Sequence, residues 1–232
     1  MKTGFLFLIG LTLLIGCKSD SKSNESSELD KIEQDATDVS VLSTAEAIAN
    51  KNGYDNWKDV STLRFTFNVD RGEGHFERSW TWNPKSNDVT LVSGADTVHF
   101  NHKKVDSTTQ RADASFINDT YWLLAPFNLV WDEGTTFSEK QNVIAPISKD
   151  TLNLLTVVYG NEGGYTPGDA YDFYYSKDFV IEEWGFREGN DSIARLINTW
   201  EDYETFKGIT ISKMHQDSTG GFKLYFSSIS IE

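Results

Sequence analysis

The stretch that organises this chain is FINDTYWLLAPFNLVW, residues Phe116–Trp131. It is the longest run of apolar and aromatic residues outside the N-terminus, and strand-like segments lie on both sides of it. The run predicts a helix that ends or turns at Pro126, because proline cannot continue the helical hydrogen-bond ladder. Asp113 or Ser115 is expected to cap its start. A helix between two series of strands either fills a core or covers a hollow, and both interpretations stay open.

The segments around this stretch alternate apolar and polar residues, the pattern of strands with one buried face. Short turns such as Arg71–Gly74 separate them, so neighbouring strands are expected to pair antiparallel. The pattern predicts a mainly β (α+β) fold of about 10–11 strands, whose edges full or partial closure would protect. The predicted strands are Leu63–Val69, Phe76–Trp82, Val89–Val92, Val98–Phe100, Leu152–Tyr159, Ala170–Tyr175, Phe179–Arg187, Ser192–Trp200, Gly208–Met214 and Phe222–Ile231.

One further helix is predicted ahead of the first strand. Ser43 and Glu46 have the spacing of a capping box, in which each side chain bonds the backbone amide of the other residue. The helix is expected over Thr44–Lys51, and the pair Asn52-Gly53 is a typical C-terminal signal.

Charge and composition limit the possible partners. The 232 residues carry a formal net charge of −14, and no block of Lys and Arg interrupts it. Nucleic acid is therefore not an expected partner, because phosphate binding needs clustered cations. Aromatic residues make up 13 % of the chain, which favours a β-rich core or a large apolar binding surface.

The N-terminus has the pattern of a targeting segment. Residues 1–16 combine Lys2 with an apolar run of signal-peptide length, too short to span a membrane comfortably. The run ends in Leu14-Ile15-Gly16-Cys17, which resembles the bacterial lipoprotein signal; an ordinary signal peptide is the alternative. The resemblance implies cleavage before Cys17, acylation of that residue (including palmitate), and a Gram-negative outer-membrane lipoprotein on the periplasmic or cell-surface face. Residues 17–42 are then an acidic, Ser-rich tether, and 43–232 a single domain.

Catalytic and metal-binding motifs are not found. The histidines at 75, 99, 102 and 215 form no pair at helical ligand spacing, and no nucleophile elbow occurs. Cys17 is the only cysteine, so neither a disulfide within the chain nor a structural zinc site is expected. The sequence predicts no catalytic residue, no metal ligand and no cofactor.

The aromatic residues are the one positive signal for a site. They are more numerous than a minimal core needs, and an apolar pocket for a hydrophobic ligand would use the excess. The alternative is a large β core closed by an aromatic helix. The candidate ligand-binding residues are Trp80, Trp82, Trp122, Phe127, Trp131, Phe173 and Trp184.

Three segments resemble the superfamily of periplasmic lipoprotein carriers and their outer-membrane receptor. Ala47-Ile48, Asn52-Gly53 and Trp57–Leu63 resemble its opening, and Thr199–Tyr203 followed by Gly208-Ile209 resembles a late segment. Phe116–Phe127 looks like an uncharacterised lipoprotein family of Bacteroidota within that group. The resemblance implies a half-open antiparallel β-barrel with an N-terminal helix, a concave face that holds acyl chains, and mid-chain helices that line or cover it. The carriers are soluble, so an anchored chain would be receptor-like or another user of the same cup.

Three hypotheses for function follow. The favoured one is a non-enzymatic, membrane-anchored binder of a hydrophobic or lipid-like ligand, which requires an apolar pocket beside the mid-chain helix. The second is an envelope protein-interaction module with a filled barrel, which a large exposed apolar patch would favour. The third is an enzyme acting on extracellular substrate, which requires histidines or carboxylates converging in the cup.

Overall fold

The computed structural model describes residues 42–162 and 165–232. The predicted signal peptide and Cys17 lie outside the described residues, as does all of the predicted tether except Leu42. Val41–Glu232 form one compact unit, and its buried apolar residues form a continuous core. A segment with its own core is expected to fold by itself.

The fold is mainly β. The described residues form twelve strands rather than the predicted 10–11, and these make two antiparallel sheets with no closed barrel. The larger sheet has the order β10-β11-β12-β1-β2-β3-β4, so the last strand pairs with the first. Its strands are β1 (Leu63–Arg71), β2 (Gly74–Asn83), β3 (Asp88–Ser93), β4 (Asp96–Asn101), β10 (Glu201–Phe206), β11 (Ile209–Gln216) and β12 (Phe222–Ile231).

The smaller sheet follows chain order from β5 to β9. Its strands are β5 (Thr135–Ile144), β6 (Thr151–Tyr159), β7 (Ala170–Tyr175), β8 (Ile181–Arg187) and β9 (Leu196–Thr199). Sequence periodicity missed β5, because this edge strand is exposed along nearly its whole length and has no apolar face.

The chain passes from one sheet to the other at Trp200, which is buried. The predicted strand Ser192–Trp200 therefore stops at Thr199, and β10 begins in the other sheet at Glu201. Across this join, His215 Nδ1 donates to the Thr199 carbonyl oxygen at 3.2 Å. The Gln216 backbone N–H donates to the Thr199 hydroxyl oxygen, also at 3.2 Å. These contacts hold the two sheets together beside the core.

Between residue 42, where the described part of the chain begins, and β1 there are two helical segments. Helix α1, Thr44–Lys51, starts with both hydrogen bonds of the capping box between Ser43 and Glu46. It ends before Gly53, whose φ of 83° and close approach to the Gly208 carbonyl oxygen leave no room for a Cβ. A 3₁₀ helix, Tyr54–Asp59, follows directly.

Helix α2 is longer than predicted and does not end at Pro126. It runs from Gln110 to Trp131, and its backbone leaves helical geometry only at Leu124 (φ −124°, ψ 21°). The proline removes one donor and bends the helix, but the turns on both sides stay packed in the core. The N-cap is Thr109, whose side chain makes no capping bond, so the predicted caps Asp113 and Ser115 are wrong. Both lie inside the helix because the chain turns into it earlier, at Asp106.

The two sides of α2 have different surroundings. Phe116, Asp119, Leu123 and Phe127 recur at helical spacing and are at most 2 % exposed. This inner side fills the core between the sheets, which answers half of the question that the sequence left open. The outer side forms the wall of two hollows. Among the described residues, no helix combines the length and apolar character needed to cross a bilayer.

Candidate functional site

Two hollows lie along the outer side of α2 and share four lining residues: Ile117, Tyr121, Tyr165 and Thr166. We call the smaller one, about 300 Å³, the aromatic hollow. Its other lining residues are Ala114, Asn118, Trp122, Tyr171, Trp184, Phe186 and Leu196. We call the larger one, about 460 Å³, the acidic hollow. Its other lining residues are Trp82, His102, Phe116, Thr120, Asn128, Trp131, Asp132, Glu133, Tyr159, Gly160 and Glu162.

The aromatic hollow is built on the smaller sheet. Tyr171 on β7 is paired with Phe186 on β8, and the Tyr171 and Trp184 rings stack at 5.3 Å. Because side chains two residues apart share a face of a strand, Trp184 and Phe186 point the same way. From the helix, Trp122 closes this wall with its ring 4.3 Å from that of Trp184. The result is an apolar surface held rigidly by ring contacts.

A relay of hydroxyl groups crosses the acidic hollow. Tyr159 Oη donates to Asp132 Oδ2 at 2.6 Å, and Tyr121 Oη lies 3.1 Å from Tyr159 Oη. The Tyr159 hydroxyl has one hydrogen, and it donates that hydrogen in the shorter bond to the Asp132 carboxylate. Tyr121 is therefore the donor in the hydrogen bond between the two tyrosines. Burial raises the pKa of both tyrosines, and the Asp132 charge adds to it. Both tyrosines therefore stay neutral and act as hydroxyl donors.

The acidic hollow carries a concentrated negative charge. Asp132, Glu133 and Glu162 line it, and no Lys or Arg does. Within the part of the chain that the structure describes, none of these three carboxylates takes part in a salt bridge. Asp132 accepts hydrogen bonds only from the neutral groups Tyr159 and Asn128.

A histidine–carboxylate pair borders the acidic hollow. His102 Nδ1 donates to Asp113 Oδ1 at 2.6 Å, and Tyr165 Oη donates to Asp113 Oδ2 at 2.8 Å. Burial, followed by the bond to Asp113, raises the pKa of Tyr165. This contact ties the loop after β6 to the first turns of α2. The arrangement meets the requirement that we set for an enzyme, a histidine converging with carboxylates, but both Asp113 oxygens already have partners. Among the described residues, no group of three potential metal ligands is gathered.

A buried ion pair positions the inner side of α2. Asp119 Oδ2 accepts from Arg78 Nε at 2.5 Å and from Trp80 Nε1 at 2.7 Å. The Arg78 guanidinium also lies 5.3 Å from the Phe67 ring. Burial raises the pKa of Asp119, and the hydrogen bonds and charge of Arg78 oppose that effect. The sequence offered one signal for this contact, an acidic residue in the middle of an apolar helical stripe, and its partner went unrecognised.

Of the seven candidate aromatic residues, four line a hollow and three lie in the core. Trp82 and Trp131 line the acidic hollow, and Trp122 and Trp184 line the aromatic hollow. The remaining three are at most 1 % exposed in the core and line neither hollow: Trp80, Phe127 and Phe173. Sequence analysis missed Tyr121, which lines both hollows. Its place on the helix, opposite Leu123, was the available signal.

One buried histidine lies where α2 meets the larger sheet. His215 has no exposed surface, and its ring is 5.4 Å from Trp122 and 4.6 Å from Trp200. Burial lowers the pKa of His215 to about 3, against the opposing bond to the Thr199 carbonyl. The residue is therefore neutral at physiological pH.

No protein-family model matches this chain, and no curated protein matches it. Solved structures that are similar to this chain over about four fifths of its length include the following three. A DUF1329 family protein from Desulfovibrio piger has TM-score 0.43 and 10 % identity, with 82 % of this chain and 92 % of that chain covered. A LolA superfamily protein from Nitrosomonas europaea has TM-score 0.45 and 11 % identity, covering 82 % and 94 %. A structure described as a putative outer membrane lipoprotein-sorting protein domain, from Vibrio parahaemolyticus, has TM-score 0.43 and 8 % identity, covering 81 % and 93 %.

Proposed function

We propose that this protein binds a hydrophobic, lipid-like ligand and holds the apolar part of that ligand in the aromatic hollow, without chemical conversion. The supporting observation is the hollow itself: about 300 Å³ of space bounded by large ring systems beside a packed core. Small-molecule sites have this character, a concave and mainly apolar surface with a few polar groups at one end. In this proposal Trp122 and Trp184 are ligand contacts, whereas Trp80, Phe127 and Phe173 stabilise the fold.

The proposal includes the cup implied by the sequence motifs. The two sheets and α2 act together as a half-open cup, and α2 is a wall of it that also fills the core. The motifs around Trp57, Phe116–Phe127 and Thr199–Ile209 that resemble the lipoprotein-sorting superfamily of Bacteroidota and other Gram-negative bacteria support this part.

Binding is tested with Val41–Glu232, the compact unit that carries both hollows. Native mass spectrometry of the unit purified from cells is expected to show a co-purifying lipid. Leu196 lines the aromatic hollow, so Leu196→Trp fills it and is expected to remove that lipid and the binding of the neutral dye N-phenyl-1-naphthylamine. Ile193→Trp is the matched control, because Ile193 is 74 % exposed and lines neither hollow. Equal binding by both variants, with both folded by circular dichroism, would exclude the hollow as the site.

The membrane is the second proposed partner, reached through acyl chains on Cys17. The basis is the lipoprotein-like signal, in which the only cysteine of the chain occupies the required position. An outer-membrane location on the periplasmic or cell-surface face follows from that resemblance. Metabolic labelling with an alkyne analogue of palmitate is expected to mark the full chain and not the Cys17→Ser variant. Equal labelling of the two chains, or none in either, would contradict the anchor.

A further inference from the structure

The acidic hollow adjoins the aromatic hollow, and Tyr121 lies in the wall of both. A ligand that places its apolar chain beside Trp184 therefore directs its other end toward Asp132. From the chemistry of this second space, we infer that it is a head-group subsite for a polar group that donates hydrogen bonds and carries no negative charge. The inference rests on the proposed binding of a lipid-like ligand and adds the class of its head group.

Hydrogen-bond acceptors dominate the subsite. Tyr121 donates a hydrogen bond to Tyr159, and Tyr159 donates one to Asp132, so both hydroxyl hydrogens point toward the carboxylate. The Tyr121 oxygen keeps lone pairs that can accept from a ligand. Glu133 and Glu162 add acceptor oxygens at the rim. A hydroxyl or amine group satisfies these atoms, whereas a phosphate, sulfate or carboxylate group brings only further acceptors.

The electrostatic field points to the same class. Asp132 caps the C-terminus of α2, Glu133 follows it, and the last turn has no basic residue. The helix dipole already places partial negative charge at this end, so acidic side chains there are unfavourable and basic side chains are favoured. A local arrangement that costs stability is typical of functional sites. Here the charge excludes anions from a space that neutral or cationic groups can enter.

Aromatic groups complete the subsite. Trp82 and Trp131 both line it, and among the described residues the buried Trp82 Nε1–H has no hydrogen-bond partner, so it is a donor that a hydroxyl oxygen of a ligand can satisfy. Indole rings next to carboxylates suit the C–H faces of a polyol and also suit an ammonium group. A polyol and an ammonium group have in common that they donate hydrogen bonds and carry no negative charge. The experiment below distinguishes these two kinds of head group.

The test compares three amphiphiles with the same saturated chain: monolauroylglycerol, dodecylamine and lauric acid. Each displaces N-phenyl-1-naphthylamine from the Val41–Glu232 unit at neutral pH and low salt. We expect lauric acid to bind about tenfold more weakly than monolauroylglycerol, because its carboxylate meets the three acidic side chains. Tight monolauroylglycerol binding indicates a hydroxyl-bearing head, and tighter dodecylamine binding indicates an amine. Lauric acid that binds as well as either would overturn the inference.

Two variants connect the selectivity to the subsite. Glu133→Gln combined with Glu162→Gln is expected to reduce the tenfold discrimination to about twofold, since two of the three charges are gone. Glu139→Gln combined with Glu204→Gln, both outside the hollow lining, removes the same charge elsewhere and should leave the discrimination intact. If this control pair reduces it equally, net charge and not the subsite selects the ligand.

The two proposals fail differently. If the dye does not bind, or Leu196→Trp leaves it bound, the proposed binding function fails. If dye binding is lost in Leu196→Trp but the three amphiphiles bind equally, binding stands and the head-group inference alone is wrong.

Discussion

The inner and outer sides of α2 are built from the same kinds of residue and have opposite surroundings. Phe127 and Leu123 on the inner side are at most 2 % exposed and surrounded by core. Ile117 and Tyr121 on the outer side face the two hollows. One helix can therefore contribute packing energy on one side and binding surface on the other. Substitutions at Leu123 or Phe127, which line neither hollow, and at Ile117 or Tyr121, which line both, should separate these roles. Phe116 is the exception, because it is buried in the core and also lines the acidic hollow.

The largest difference is expected between Phe127→Ala and Ile117→Ala. Phe127 touches Tyr54 and Trp131 with ring centroids at 5.5 Å in both cases, so removing it leaves a cavity in the core. Its free energy of unfolding should fall by about 3–5 kcal/mol. Ile117 is only partly buried, and its loss should cost about 1 kcal/mol. Urea unfolding gives the stabilities, and dye titration gives the affinities.

The dye affinities of the two variants test whether binding also differs between the inner and outer sides of α2. We expect Phe127→Ala to bind the dye normally while folded, and Ile117→Ala to bind it more weakly. A large stability loss in Ile117→Ala would mean that the outer side is also core.

The next largest loss of stability is expected at the ion pair between Asp119 and Arg78 on the inner side of α2. Asp119→Asn removes the charge that pairs with Arg78, and the arginine cannot lose its own proton. Since burial already raises the pKa of Asp119, the net gain from the pair is small. The variant therefore reports mainly the cost of a cation left unpaired, about 2–3 kcal/mol, because the Arg78 side chain is 17 % exposed and keeps some contact with solvent. The double variant Asp119→Asn with Arg78→Met keeps an acceptor oxygen for Trp80 Nε1 and should recover most of that loss in urea unfolding. A double variant no more stable than Asp119→Asn would contradict this assignment.

Much of the local structure could be predicted from the sequence, and little of the site could. Alternation located most strands because their buried faces repeat every second residue, as in β1. Strand β5 has no such face, and the helix that passes Pro126 is held by packing that no local pattern contains. The partners Asp119 and Arg78 are 41 residues apart, and Tyr121 and Tyr159 are 38 apart.

The aromatic residues show the same limit. Trp80 and Trp82 lie two positions apart on one strand, yet one is buried in the core and the other lines the acidic hollow. Alternation assigns both to one face and cannot say where that face ends. The distinction depends on the position of α2, which the register of β2 and the Arg78–Asp119 contact determine together.

The contact between Trp122 of α2 and the larger sheet should respond to pH through His215. Its pKa in the folded protein is about 3, against about 6.5 in the unfolded chain. As the pH falls through 6.5, the unfolded chain takes up a proton that the folded protein refuses, so stability is lost until the pH reaches about 3. At pH 5 the loss is about 2 kcal/mol. His215→Asn keeps a donor for the Thr199 carbonyl and cannot titrate in this range, so the difference between its urea-unfolding profile and that of the parent isolates the histidine. Parallel profiles between pH 7 and pH 5 would show that His215 is not buried as the structure has it.

The smallest stability effect is expected where the outer side meets the loop after β6. Tyr165→Phe removes the hydroxyl that donates to Asp113 and leaves the ring, which is 42 % exposed, in place between the hollows. Because Asp113 keeps its bond from His102, no carboxylate is left without a partner, and unfolding should become easier by only about 0.5–1 kcal/mol. The loop is nevertheless part of both hollows, so its release should accelerate dissociation of the dye more than it changes stability. Tyr225→Phe is the matched control, as Tyr225 lines neither hollow and its side chain makes no described hydrogen bond. The dissociation rate of the dye is measured by stopped flow. An unchanged rate in Tyr165→Phe would mean that Tyr165, like the inner-side residues, has only a structural role, and that the binding surface of α2 does not extend to the loop.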